Sequence, residues 1–121
     1  MPTGLRPFID KNSKALILGS FPGPLSLELN QYYAHLRNAF WPIIARIYDF
    51  DGNTSYRSRV SKLKENRIAV WDVLESCERE GAEDRRIRNP MANDFKKFFR
   101  RYPEIVKVVL NGRKAEKLFS R

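Results

Sequence analysis

Residues 16–41 read LILGSFPGPLSLELNQYYAHLRNAFW. Leu16, Ile17 and Leu18, with Ala15 in front of them, form a short continuous apolar run that stops at Gly19. Such a run suits a strand covered on both faces. The turn Gly19-Ser20-Phe21-Pro22-Gly23-Pro24 follows. Its glycines permit positive φ and close backbone approach, and its prolines stiffen it. After a loop rich in aromatic and hydrogen-bonding residues, Phe40, Ile43, Ile44 and Ile47 recur at i, i+3, i+4 and i+7. That spacing predicts an amphipathic helix, with Pro42 tolerated in its first turn. Strand, rigid turn, polar-aromatic loop and helix in this order build a pocket at the carboxyl edge of a parallel sheet.

Two further apolar runs read as strands, residues 68–71 (IAVW) and residues 106–110 (VKVVL), the second closing at Asn111-Gly112. Helical patterns lie between and after them. Tyr56, Val60 and Leu63 give a weak face behind the Asp51-Gly52-Asn53 turn. Phe95, Phe98, Phe99 and Tyr102 give a strong one, with Asn93 as its expected cap and Pro103 beyond its end. Ala115, Leu118 and Phe119 begin a last helix. Alternating strands and helices predict an α/β fold, a three-layer α/β/α sandwich around a small parallel sheet, in one domain spanning residues 1–121. A chain that stops inside a helix leads us to expect a C-terminal strand missing from this sheet. The edge of the third strand would then be open to association.

With 121 residues, 42% hydrophobic composition, 8 Phe, 5 Tyr and 2 Trp, the chain has the material for one packed core. No apolar run approaches the roughly 20 residues of a membrane span, and the N-terminus MPTGLRPFID lacks a secretory leader. These features predict a cytoplasmic protein with no membrane partner. One cysteine, Cys77, and one histidine, His35, exclude an internal disulfide and a Cys/His metal cage. Cys77 is expected as a reduced core or loop thiol, and neither a cofactor nor a metal is expected. The net charge of +9 favours a polyanionic partner.

Several residues in this frame carry chemistry. The turn at residues 19–24 offers backbone N–H groups to an anion or to a base carbonyl. It is neither a dinucleotide fingerprint nor a Walker loop, because both the G-x-G-x-x-G spacing and a following Gly-Lys-Ser/Thr are absent. Tyr32, Tyr33, His35 and Asn38 could stack on a nucleobase and read its edge. Equally, Asn38 could cap the helix that starts at Phe40, and His35 and the tyrosines could be structural. Asn111 reads as the end of the third strand. Arg79, Arg85, Arg86 and Arg88 crowd one loop, and Lys96, Lys97, Arg100, Arg101, Arg113, Lys114 and Lys117 add to the basic surface that phosphates would meet.

The segments LILGSFPGPLSL, YYAHLRNAFWPII, AVWDVLESCEREG, IRNPMANDF and VVLNGRKAEKLF, in this order from Leu16 to Phe119, resemble the uracil-DNA glycosylase superfamily. The resemblance is strongest to its hypoxanthine-DNA (deoxyinosine) glycosylase branch. It implies a monofunctional DNA glycosylase that flips a deaminated base, hypoxanthine or uracil, out of double- or single-stranded DNA and hydrolyses its N-glycosyl bond in base excision repair. A monomer without cofactor is implied as well. The position that directs water in much of the superfamily corresponds to Phe21 here, which has no group to do so. The resemblance to the deoxyinosine branch instead implies that role for Asn38. It further implies a base pocket made by Ser20, Phe21, Pro22, Gly23, Tyr33, His35, Trp71 and Asp72, with Phe21 or Tyr33 stacking and Asp72 accepting from a purine N–H. Phosphate contacts from Arg79, Arg85, Arg86 and Arg88 complete the expected interface. Two departures stand out: Leu36 replaces the usual proline, and no Ser-Pro loop for the minor groove follows. The competing expectations are a non-catalytic nucleic-acid-binding remnant of the fold and, more distantly, a nucleotide or phosphate binder using the turn at residues 19–23.

Overall fold

A computed structural model describes residues 2–120. Three parallel strands form the main sheet in the order β2–β1–β5: β1 Ala15–Gly19, β2 Ile68–Asp72 and β5 Lys107–Leu110. Ala15 aligns with Ile68 and Lys107, while at the other end Gly19 aligns with Asp72 and Leu18 with Leu110. The apolar run expected from the sequence is therefore the central strand. Two more strands, β3 Leu74–Glu78 and β4 Arg88–Ala92, form a separate antiparallel hairpin, joined by a loop holding a short 3₁₀ turn, Asp84–Arg86. That hairpin has no counterpart in the sequence pattern, where the basic stretch reads as a loop.

Side-chain alternation along the strands sends residues to two cores. Leu16, Leu18 and Ala69 meet Val73, Leu74, Cys77, Ile87, Phe98, Ala115 and Leu118 on one face. Helices α4 (Phe95–Arg101) and α5 (Arg113–Phe119) cover that face together with the hairpin. Ile17, Ile68 and Val70 face the other way, onto Phe8, Tyr32, Phe40, Trp41, Ile44 and Leu63. There α2 (Phe40–Ile47) and α3 (Tyr56–Glu65) close the layer. The three-layer α/β architecture is the one expected. Leu16, Leu18 and Leu63 have no exposed surface, and burying each contributes about 1.5–3 kcal/mol.

Local corrections follow from packing. Helix α2 buries Phe40, Trp41, Ile44 and Ala45, whereas Ile43 and Ile47 stay exposed. The helix is turned so that the Trp41 indole enters the core and its Nε1–H donates to the Tyr32 carbonyl at 2.9 Å. Asp94, not Asn93, caps α4, its carboxylate accepting the Lys97 N–H at 3.1 Å. The Asn93 amide instead donates to the Asp72 carbonyl at 2.9 Å, tying the start of α4 to the end of β2. A short helix without a periodic signature, α1 (Pro24–Leu29), starts on Pro24, where a missing N–H costs nothing. On the free side of β2, Phe8 exchanges two backbone hydrogen bonds with Val70 at 3.1 Å and covers the edge. Cys77 is a buried free thiol. Among the described residues no helix is long and apolar enough to cross a membrane.

Candidate active site

The carboxyl ends of the three parallel strands open into a cleft of about 540 Å³, within the range of small-ligand sites. Gly19 and Ser20 leave β1 there, Asp72 ends β2, and Asn111 follows β5. Tyr33, His35, Arg37 and Asn38 make the opposite wall, and Ala82 and Asp84 reach in from the hairpin loop.

Asp72 is the unusual group. It is 5% exposed, and its Oδ2 makes no hydrogen bond among the described residues. Burial pushes its carboxyl up to about 7, and repulsion from Asp84 adds to this, while Arg79 pulls the other way. Gly19 makes room for it. A Cβ on Gly19 would lie 2.6 Å from Asp72 Oδ1 and 3.1 Å from Tyr33 Oη. The close approach expected at Gly19 is thus present, although neither Gly19 nor Gly23 adopts positive φ. A Cβ on Gly23 would meet nothing within 4 Å.

Positive φ falls on Tyr33 instead, at 54°, a conformation costing a bulky residue about 1–3 kcal/mol. Its surroundings enforce it. The Tyr33 ring stacks on Phe40 with centroids 3.9 Å apart, and its hydroxyl accepts from the Asn111 amide at 3.1 Å. Burial raises the Tyr33 pKa well above the usual phenol range. Downstream, Asn38 Oδ1 accepts the Phe40 N–H at 2.9 Å. Ala39, not Asn38, is the cap residue of α2, and the Asn38 bond closes a local turn just ahead of the helix, leaving Nδ2 without a partner among the described residues. His35 Nδ1 accepts the Arg37 N–H at 3.1 Å, so the neutral imidazole carries its proton on Nε2.

The turn after β1 is held from below. Ser20 Oγ donates to Asp84 Oδ1 at 2.8 Å. The Arg79 guanidinium, its side chain 4% exposed, donates to the Pro22 and Gly81 carbonyls. It also lies 3.5 Å from Asp84 and 5.4 Å above the Phe21 ring centre. The N–H groups of Ser20, Phe21 and Gly23 take no part in backbone hydrogen bonds among the described residues, so the turn keeps donors free.

Among the expected site residues, the cleft brings together Ser20, Phe21, Pro22, Gly23, Tyr33, His35, Asn38 and Asp72. Phe21 is 7% exposed and roofed by Arg79, so it offers no open stacking face. Trp71 is not in the cleft. Period-two alternation turns it away from Asp72, and its ring stacks on Phe98 at 4.4 Å. Arg79, expected at phosphate, is buried as a brace, whereas Arg85, Arg86 and Arg88 are exposed on the hairpin loop and β4. Arg85 pairs with Glu83, and Arg88 Nη1 donates to the Arg85 and Ile87 carbonyls. Asp84 has no signal in the sequence: an aspartate within a run of arginines reads as solvated, and only the fold puts it beside Ser20. No group of three or more His, Cys, Asp or Glu side chains among the described residues could hold a metal.

An α/β/α sandwich with a polar cleft at its carboxyl edge defines a class of ligand-binding or hydrolytic domains, and comparison with known proteins narrows it. The model of the uracil DNA glycosylase superfamily matches residues 6–121, and the chain belongs to that family. Its enzyme class is DNA glycosylase, a hydrolase of N-glycosyl bonds. A hypoxanthine DNA glycosylase of Methanosarcina barkeri is 39% identical over 113 residues, covering 93% of this chain and 72% of that protein. Its namesake from Methanosarcina acetivorans is 35% identical over the same shares. A solution NMR structure from M. acetivorans, of a protein provisionally described as a uracil DNA glycosylase, superposes with a TM-score of 0.87 at 33% identity. It matches 98% of this chain and 74% of its own.

Proposed function

We propose that this glycosylase removes a deaminated base, hypoxanthine foremost, from DNA after the nucleotide has turned out of the helix into the cleft. The observation that carries the reading is that one cavity is lined by both Asn38, an amide whose Oδ1 is held by the Phe40 N–H, and Asp72, a buried carboxyl whose Oδ2 has no hydrogen bond among the described residues. The names of the two curated relatives support hypoxanthine as the base. Uracil presents a similar N–H beside a carbonyl and is the second substrate to try.

In the reaction the C1′–N9 bond breaks, the sugar becomes cationic in character and the purine takes the electron pair. Water adds its oxygen to C1′, and its proton ends on the departing base or in solvent. An oxocarbenium-like carbon captures water readily, so the enzyme has to place the water more than ionise it. Asn38 Nδ2 and the free lone pair of Oδ1 suit that task. Charge developing on the base is met by donors that are already in place: the N–H groups of Ser20 and Phe21 and the Nε2–H of His35. Each such donor is typically worth about 10²–10³ in rate. Asp72 meets the edge of the base, where ionised oxygen accepts N1–H of hypoxanthine and repels the bare N1 of adenine. Tyr33, Pro22 and Gly23 shape the walls. Arg85, Arg86 and Arg88 hold phosphates.

Duplexes carrying inosine, uracil or only normal bases, scored for abasic sites, test the reading. Inosine should be cleaved, and Asn38→Ala should lower its excision about 10²-fold or more with DNA affinity nearly unchanged. The same variant should lose about 1 kcal/mol of stability, since the Phe40 N–H loses its acceptor. Persistent DNA binding with every base left intact would instead identify a non-catalytic binding module.

A further inference from the structure

A second cavity, of about 580 Å³, lies between the N-terminal segment and α4 and shares no lining residue with the cleft. Trp71 and Asp72 are consecutive in β2, and the alternation that sends Asp72 into the cleft sends Trp71 into this groove. Both walls are fixed by the backbone. On one side the Gly4 N–H donates to the Glu75 carbonyl at 2.7 Å and Phe8 pairs with Val70 at 3.1 Å, which holds Arg6 between two anchors. The Tyr32 hydroxyl donates to the Arg6 carbonyl at 2.9 Å. On the other side the Asn93 N–H donates to the Val73 carbonyl and the Asn93 amide to the Asp72 carbonyl, both at 2.9 Å. Lys97 and Arg101 follow one turn apart on α4, and Tyr102 ends that helix.

The polar groups of the groove have few partners within the protein. Arg6, Glu75, Lys97 and Arg101 form no ion pair among the described residues. Asn93 Oδ1 and the Tyr102 hydroxyl make no hydrogen bond among them, and the Trp71 Nε1–H has no acceptor there, whereas the Trp41 Nε1–H has one. Of the two carboxylates at the groove, Asp94 caps α4. We propose that this groove is a second nucleotide site: it takes one nucleoside monophosphate unit, free or within a single strand, with the phosphate on Arg6, Lys97 and Arg101 and the base against Trp71 and Tyr102. The inference goes beyond the cleft and requires no chemistry there. A basic groove lined by aromatic rings holds nucleotides through phosphate attraction and base stacking. A bare anion would leave the rings unused. The acceptors Glu75 and Asn93 Oδ1 suit the N–H groups on the edge of a base. With the walls already tied in place, little order has to be imposed on binding.

Tryptophan emission tests the site, because Trp41 is 3% exposed in the core whereas Trp71 lines the groove. Titration with dGMP should quench the emission saturably, and inorganic phosphate alone should not. Trp71→Phe should abolish the quench, and Asn38→Ala, an alteration of the cleft, should leave the affinity for dGMP unchanged. Lys97→Ala combined with Arg101→Ala, both exposed and of little weight for the melting temperature, should weaken dGMP about tenfold. A parallel titration with oligothymidylate separates the two sources: quenching by the oligonucleotide alone would assign the site to a residue of a single strand, and quenching by dGMP would assign it to free nucleotides as well. No saturable quench with either probe, an equal quench by phosphate, or an unchanged affinity in the double variant would overturn the proposal.

Discussion

Replacing Asp72 by asparagine keeps the shape of a side chain that is 5% exposed and removes its ability to ionise. In an unfolded chain this carboxyl titrates near 3.8, whereas burial, chiefly, pushes it up to about 7 in the fold. Between those values the native protein holds a proton that the unfolded chain has released. Stability therefore falls as pH rises through this window, by about 1.4 kcal/mol per pH unit and about 4 kcal/mol in all, and levels off above pH 7. Below pH 4 both states are protonated and the full contribution is present. A neutral amide at the same position has no such dependence. Urea unfolding of both proteins at pH 4, 5, 6, 7 and 8 should show the difference opening in favour of Asp72→Asn. At pH 8, with m near 2 kcal/mol/M, the midpoints should stand on the order of 2 M apart. Parallel stability profiles across this range would refute the claim that the cleft holds a desolvated carboxyl.

Two other substitutions probe the surroundings of that group. Arg79→Ala removes the donor of the Pro22 and Gly81 carbonyls and the partner of Asp84. It should cost about 2–4 kcal/mol in thermal unfolding and move the Asp72 titration upward, because the Arg79 charge holds it down; Arg79→Lys, lacking the fork, should restore only part of the stability. Triple replacement of Arg85, Arg86 and Arg88 by alanine should flatten the dependence of log Kd on log salt for duplex DNA by about 2 to 3, near 0.9 per lost phosphate contact. An unchanged slope would remove the hairpin loop from the interface.

What the sequence discloses, and what it hides, follows from how each signal arises. Leu16 to Leu18 and residues 68–71 are legible because a strand buried on both faces has to be apolar throughout, whichever neighbours it finds. The hairpin is hidden because β4 reads RNPMA, exposed along its length and containing Pro90, and its pairing with β3 is irregular. Periodicity misplaces the face of α2 by one residue because it counts isoleucines alike, whereas the Trp41 indole has a carbonyl to reach. Trp71 and Asp72 show the same one-residue sensitivity in a strand, where neighbours point to opposite layers. The turn at residues 19–24 and the loop at residues 32–38 are legible as candidate pocket walls from their glycine, proline, histidine and asparagine, but the same residues read equally well as a rigid turn and a helix cap, and only the fold brings them to one cleft. Arg79 cannot be told from Arg85 by sequence. Only tertiary structure decides which of several arginines is buried against a carboxylate.

The two carboxyls of the cleft divide according to their partners. Asp84 has a guanidinium and a hydroxyl beside it, and its charge is satisfied. Asp72 Oδ2 makes no hydrogen bond among the described residues, and burial, more than any neighbouring charge, raises its titration. The glycine at position 19 belongs to this arrangement, because any Cβ there would strike Asp72 Oδ1. The first strand of the fold thus ends in glycine for the benefit of the second. The turn and the carboxyl are both legible in the sequence, but their mutual dependence through Gly19 is visible only in the fold.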